Sequence, residues 1–196
     1  MGKASRRRAE RGTVNARPLR PEVTLRPLTS DDIAVASAIV RAGEVLPKDM
    51  PRYVTGPPTP ENGFSFGTAA VVEGTLVGVV VAQGVRTDLS VDLSGEVGLL
   101  DGIAVAQPLR GAGIGALLQE DTVQRFQQMG HRGVVAQLAS GRRDLPGFYM
   151  KHGWSVGLPG QGAILTTVEG PVAVLEHPTM RVVRRVLAYG PRSPFA

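Results

Sequence analysis

The sequence predicts a mixed α/β domain, a sheet with helices packed on it. Three observations carry this. Two β-branched runs flank Glu73-Gly74 in "FGTAAVVEGTLVGVVVAQGVRT", the pattern of a hairpin. The apolar run "GEVGLLDGIAV" leads through Gly111, Gly113 and Gly115 into a stretch with helical spacing. After that helix come a buried-looking strand, a short helix and further apolar runs, giving the order β-α-(α)-β-β-β-α-β-α-β-β.

Each element has a local reason. "EVTLRPLT", residues 22–29, alternates like a strand. Ser30 or Asp31 is placed to cap a helix whose apolar positions are Ile33, Val35, Ala36, Ile39 and Val40. Pro47, Pro51, Pro57, Pro58 and Pro60 then interrupt the chain, which predicts at most a short helix and a loop. The hairpin and the strand ending near Val105 follow. The next helix carries Ile114, Leu117, Leu118, Phe126 and Met129 and closes at Gly130. "RGVVAQLA" reads as a buried strand. Asp144 is placed to cap "LPGFYMKH", with Pro146 tolerated in the first turn and Gly153 ending the helix. "WSVG" begins another strand, and apolar runs lie around 163–168, 172–175 and 182–187.

Length and composition bound the function. A chain of 196 residues suits one domain with tails. The absence of cysteine excludes disulfides, thiolate metal sites and a cysteine nucleophile. His131, His152 and His177 lack ligand-like spacing, so no metal site is expected. No apolar run reaches membrane-spanning length, and the basic start lacks the apolar stretch of a signal peptide, so a cytoplasmic protein without membrane contact is expected. The net charge of +5 is not evenly spread: residues 1–20 hold seven Lys and Arg against Glu10, and the rest of the chain is near neutral. Residues 1–20 therefore read as a basic disordered tail, 21–190 as the domain and 191–196 as a C-terminal tail. The basic tail can contact nucleic-acid phosphates or act as a solubilising leader.

Glycines between a strand and a helix remove Cβ atoms where free N–H groups and the positive helix end converge, which suits a phosphate. A Walker-type loop needs Lys and then Ser or Thr after its last glycine, and Ala116 and Leu117 stand there instead. Gly111, Gly113 and Ala116 satisfy the dinucleotide fingerprint, and Arg142 and Arg143 could meet a 2′-phosphate. The 56 residues after Ser140 are too few for the further strand–helix repeats of a doubly wound sheet.

"PLRGAGIGALL" resembles the pyrophosphate loop of the GNAT N-acetyltransferase superfamily, whose pattern is R/Q-x-x-G-x-G/A. Arg110, Gly113 and Gly115 fall on it. "FYMKHGW" is similar to the family's second signature, with Phe148, Tyr149, Gly153 and Trp154 in place. The resemblance covers about residues 22–158. It implies a central mixed, mostly antiparallel sheet of about six or seven strands flanked by about four helices. It also implies acetyl-CoA as acyl donor. The backbone of Gly111, Ala112, Gly113, Ile114, Gly115 and Ala116 would hold the pyrophosphate beside Arg110, and the strand Ile103, Ala104 and Val105 would pair with the pantetheine arm. Phe148 would pack beside the coenzyme. Relatives carry N-x-x-A-x-x-F-Y where this chain has Arg142 and Leu145, so the pantetheine contact of that Asn falls to Ser140 or Arg142.

The activity implied is direct attack of a primary amine on the thioester. An amine with a pKa near 10.4 must lose a proton first, and a thiolate leaves more readily when protonated. By resemblance, Tyr149 is the acid and a carboxylate on the preceding strand is the base, Asp101 in preference to Glu96. The acceptor is a small-molecule or protein amine. A nucleic-acid-linked amine such as aminoacyl-tRNA and a catalytically silent coenzyme-binding module are the alternatives, and a homodimer is compatible with either. Because residues 1–20 carry no core positions, deleting them is expected to leave the melting temperature and acetyl-CoA binding unchanged in thermal-shift measurements; an unfolded product would place the segment in the domain.

Overall fold

The computed structural model describes residues 21–43, 50–54, 65–87, 95–139, 141–160, 163–167, 170–174 and 180–187. The two expected tails and Ser140 lie outside them. The described residues form one sheet of nine strands with three α-helices: β1 Thr24–Pro27, α1 Ile33–Ala42, β2 Phe66–Val72, β3 Thr75–Thr87, β4 Gly95–Val105, α2 Ile114–Gln128, β5 Gly133–Ala139, α3 Asp144–Lys151, β6 Ser155–Val156, β7 Ala163–Thr167, β8 Gly170–Val174 and β9 Met180–Val186. The main path runs β1-β2-β3-β4-β5-β9-β6, and the β7–β8 hairpin joins the end of β3. Every pairing is antiparallel except β4–β5.

The β2–β3 turn has Glu73 at φ 48° and Gly74 at φ 78°. Positive φ at both central residues is the two-residue turn whose twist matches the flanking strands. The first helix starts differently from expectation. Thr29, not Ser30 or Asp31, stands at its entry, ahead of a 3₁₀ turn Ser30–Asp32. Asp32 Oδ2 accepts from the Thr29 N–H at 2.9 Å and from its hydroxyl at 2.8 Å, and Arg26 donates to both carboxylate oxygens. The Arg26 guanidinium holds the Asp32 carboxyl well below its ordinary range. Of about four expected helices three are α-helices. Of the proline-rich segment, the described residues 50–54 form the 3₁₀ turn Met50–Tyr53. Arg143, not Asp144, precedes α3, and Asp144 is its first residue.

The described residues hold three buried apolar clusters, two of them beneath the helices on opposite faces of the sheet. On one, α2 and α3 bury Ile114, Leu118, Phe126, Tyr149 and Trp154 against Val80, Leu100, Val134 and Ala136. On the other, α1 and the 3₁₀ turn bury Ala36, Ile39, Met50 and Tyr53 against Ala69, Val79, Val81 and Ala104. Leu117, expected in the core, is exposed: it lies on the outer side of α2.

Gly98 explains how closely α2 lies on β4. A Cβ there would enter the ring of Phe126, which is fully buried. Overpacking of this kind typically costs about 1–3 kcal/mol. Gly98→Ala is therefore expected to destabilise the fold by about that amount in urea titrations, and by less when combined with Phe126→Leu, which removes the obstructing ring.

Candidate active site

The site begins with one unmatched residue. In the β3–β4 ladder Ala82 faces Leu100 and Val81 faces Gly102, so the register skips Asp101: β4 carries a bulge there. The parallel pairing of β4 with β5 covers only Gly98–Leu100 against Val134–Ala136. Beyond it β4 stays with β3, and β5 stays with β9 through Ala139. The strands part, and residues 101–105 present backbone groups to an opening instead of to β5.

That opening is a cleft of about 490 Å³. Asp101, Ile103, Ala104, Val105, Arg110, Gly111, Gly113, Gly115, Ala116, Arg142, Phe148 and Tyr149 all line it. The structure thus brings together most of the residues singled out in sequence. Ala112 is not in the lining. Ile114 is buried in the core, so it can offer only its backbone. Glu96 is the second residue of β4, opposite Arg86, about 17 Å along the strand from Asp101 at about 3.3 Å per residue; its side chain is outside the described part.

The glycine loop is built for close approach. Gly111 and Gly113 have φ of 85° and 90°, and a Cβ on either would project into open space. No side chain caps α2. The N–H groups of Ala112 and Ala116 donate to Leu109 and Gly113 carbonyls, while those of Gly111, Gly113, Ile114 and Gly115 have no protein acceptor among the described residues. Uncommitted donors at a helix N-terminus, with glycines in place of side chains, suit a polyanionic phosphate group. The residues present therefore fit a coenzyme pyrophosphate. Arg110 is turned toward α1: Nε donates to the Val105 carbonyl at 3.0 Å and Nη2 to the Ala42 carbonyl at 3.2 Å. It ties the end of α1 to the loop. Arg142 pairs with both Asp144 oxygens at 3.1 and 2.9 Å and holds that carboxyl below its ordinary range.

The two candidate acid–base groups enter from opposite faces. Tyr149 stands on the α2–α3 side, 2% exposed, in edge contact with Phe148 and Trp154. Its hydroxyl makes no protein hydrogen bond among the described residues, and burial pushes the phenol above its ordinary 10.0. Asp101 stands on the α1 side. Its Oδ2 accepts from Tyr53 Oη at 2.8 Å and Gln83 Nε2 at 2.9 Å. Tyr53 and Gln83 were not singled out in sequence. The available signal was Gln83 itself, a polar residue in phase with Val79, Val81 and Val85 on an otherwise apolar strand face. Among the described residues no group of three His, Asp or Glu side chains is placed to hold a metal, and no helix is long and apolar enough to cross a membrane.

Comparison with known proteins agrees with this geometry. The crystal structure of Arabidopsis thaliana NAA60 in complex with a bisubstrate analogue superposes with a TM-score of 0.64 at 14% identity, over 86% of this chain and 100% of that one. The ribosomal-protein-S18-alanine N-acetyltransferase from Escherichia coli gives 0.59 at 12% identity, over 88% and 98%. A curated relative, the UDP-N-acetylmuramoylalanine–D-glutamate ligase of Mycobacterium leprae, is 39% identical over 88 residues, which are 41% of this chain and only 18% of the ligase. The family model for the acetyltransferase (GNAT) family matches residues 40–154, which hold the bulged strand, the glycine loop and the Phe148–Trp154 signature. The chain belongs to the acetyltransferase (GNAT) family.

Proposed function

We propose that this chain transfers the acetyl group of acetyl-CoA to a primary amine by direct attack, within the cleft between β4 and β5. The observation that carries the reading is the convergence of three features on that one cleft: four uncommitted N–H groups at the start of α2, the unpaired edge of β4, and two acid–base groups from opposite faces.

The N–H groups of Gly111, Gly113, Ile114 and Gly115 hold the pyrophosphate, and the open edge at Ile103–Val105 receives the amides of the pantetheine arm as a further strand would. Acetyl-CoA supplies the activated thioester. Asp101 takes the proton that the attacking ammonium must lose, directly or through water. Tyr149 gives the departing sulfur a proton or a hydrogen bond. Its raised pKa keeps the hydroxyl protonated across the neutral range, as a donor must be. The two groups stand on opposite sides of the parted sheet, so amine and coenzyme can approach from different directions.

The acceptor class is an amine on a small molecule or a protein. The NAA60 structure holds a bisubstrate analogue, and the Escherichia coli neighbour is named for an alanine of a ribosomal protein. Basic residues 1–20 add the possibility of a nucleic-acid-linked acceptor, recognised by loss of affinity and a flatter salt dependence on their deletion.

Acetyl-CoA is expected to raise the melting temperature, since a ligand bound only by the native state at a hundredfold excess over its Kd adds about 2.7 kcal/mol. Gly113→Val, which puts a branched side chain at φ 90° into the phosphate space, should abolish that rise. Stabilisation by NADPH and not by acetyl-CoA would overturn the assignment.

Tyr149→Phe keeps the ring and its edge contacts and deletes one hydroxyl. General-acid assistance is worth about 10²–10⁴-fold. With an identified acceptor, kcat should fall by about that range while the acetyl-CoA Kd changes little. No alkaline limb from Tyr149 should appear below pH 10, because its proton is lost only above the ordinary phenol pKa. Unchanged kcat under rate-limiting chemistry would remove Tyr149 from the mechanism.

A further inference from the structure

Asp101 is held by residues of two separate elements, neither of them in the two family signatures. Tyr53 comes from the 3₁₀ turn after α1, Gln83 from β3 and Arg52 from beside Tyr53. Tyr53 and Gln83 are each 5% exposed. Arg52 Nη2 donates to Gln83 Oε1 at 2.6 Å. That bond settles which way the Gln83 amide faces: with its oxygen toward Arg52, its nitrogen must point at Asp101, where it donates to Oδ2 at 2.9 Å. Tyr53 Oη donates to the same oxygen at 2.8 Å, and the Arg52 guanidinium lies 5.5 Å from the Tyr53 ring centroid.

We propose that Tyr53 and Gln83, the latter oriented by Arg52, are the positioning residues that set the rotamer of Asp101 and keep it a carboxylate facing the cleft. The assignment deepens the reading of Asp101 as proton acceptor and rests on it for its catalytic meaning. Two donors on one oxygen fix the plane of the carboxylate as well as its position. A carboxylic acid at Asp101 would weaken both bonds, so the network favours the charged form. A general base must be ionised before the amine arrives, and the two donors to Oδ2 favour that form. The bulge and the network depend on each other: the unmatched residue of β4 turns toward β3's Gln83, and the segment after α1 delivers Tyr53 to the same point. The other titratable groups lining the cleft are Arg110, Arg142, Asp144, Tyr149, Lys151 and His152. The two bonds to Oδ2 come instead from Tyr53 and Gln83.

A titration that needs no acceptor tests this. The full chain is labelled with ¹³C at aspartate carboxyls, and the Asp101 resonance is assigned by its loss in Asp101→Asn. Tyr53→Phe and Gln83→Met each delete one donor and keep an apolar side chain of similar size. In each, the Asp101 midpoint should move upward by about 0.5–1 pH unit, because a donor to the charged form has gone. The acetyl-CoA-induced rise in melting temperature should persist in both, which separates positioning from collapse of the cleft. An unchanged midpoint in a variant that still responds to acetyl-CoA overturns the proposal; the second variant decides if one fails to fold. The underlying reading fails separately: if the midpoints move but Asp101→Asn retains full acetyl transfer, Asp101 is positioned as argued and is not the base.

Discussion

The parting of β4 from β5 is the constraint on which the rest of the molecule depends. It follows from one extra residue. The β3–β4 register skips Asp101, so β4 is bulged at that point, and its pairing with β5 stops after Leu100. A sheet cannot hold an empty gap without support on each side. Here β3 carries one half, through a ladder that continues to Val105, and β9 carries the other, through a ladder that continues to Ala139. The open edge is a liability in most sheets because it invites strand addition. In this fold it is sheltered inside a cleft, where an extended arm with amide groups can use it.

The helices serve the same opening. Gly98 leaves room for Phe126 of α2 to lie directly on β4. Arg110 then ties the loop before α2 to the last carbonyls of α1, and Arg142 reaches toward Gly43 from the other wall at 3.5 Å. Cations at a helix C-terminus are favourable in their own right. In this setting they also fasten the end of α1 to the cleft.

The electrostatic character of the two faces differs, in keeping with the roles proposed for Tyr149 and Asp101. Tyr149 is enclosed by Phe148 and Trp154 and has no hydrogen-bond partner among the described residues, so its proton is held tightly. Asp101 sits among donors, which favour loss of its proton. Environments that push two titratable groups apart are how one site keeps an acid and a base at the same pH. The same residues exchanged between the two faces would not divide the work this way.

Much of this was legible in the sequence because it rests on local chemistry. The hairpin at Glu73-Gly74 follows from the need for positive φ, the strand ending at Val105 from its apolar run, and the loop from glycines placed before helical spacing. Arg110, Gly113, Phe148 and Tyr149 could be named because motifs record residue types at fixed spacing. What the sequence could not decide were relations between distant segments. Asp101 and Glu96 are both acids on one strand, and only the β3–β4 register puts the bulge at Asp101 and leaves Glu96 some five residues away from it. Gln83 and Tyr53 are 18 and 48 residues from Asp101 in sequence, so no local pattern announces that they share its oxygen. Ile114 and Leu117 look alike in the helical pattern, yet one is buried and the other exposed, because the side of α2 that meets the sheet is chosen by the sheet. Local preferences identify elements and their ends; which carboxylate faces the cleft, and which donors reach it, is decided by strand register and packing.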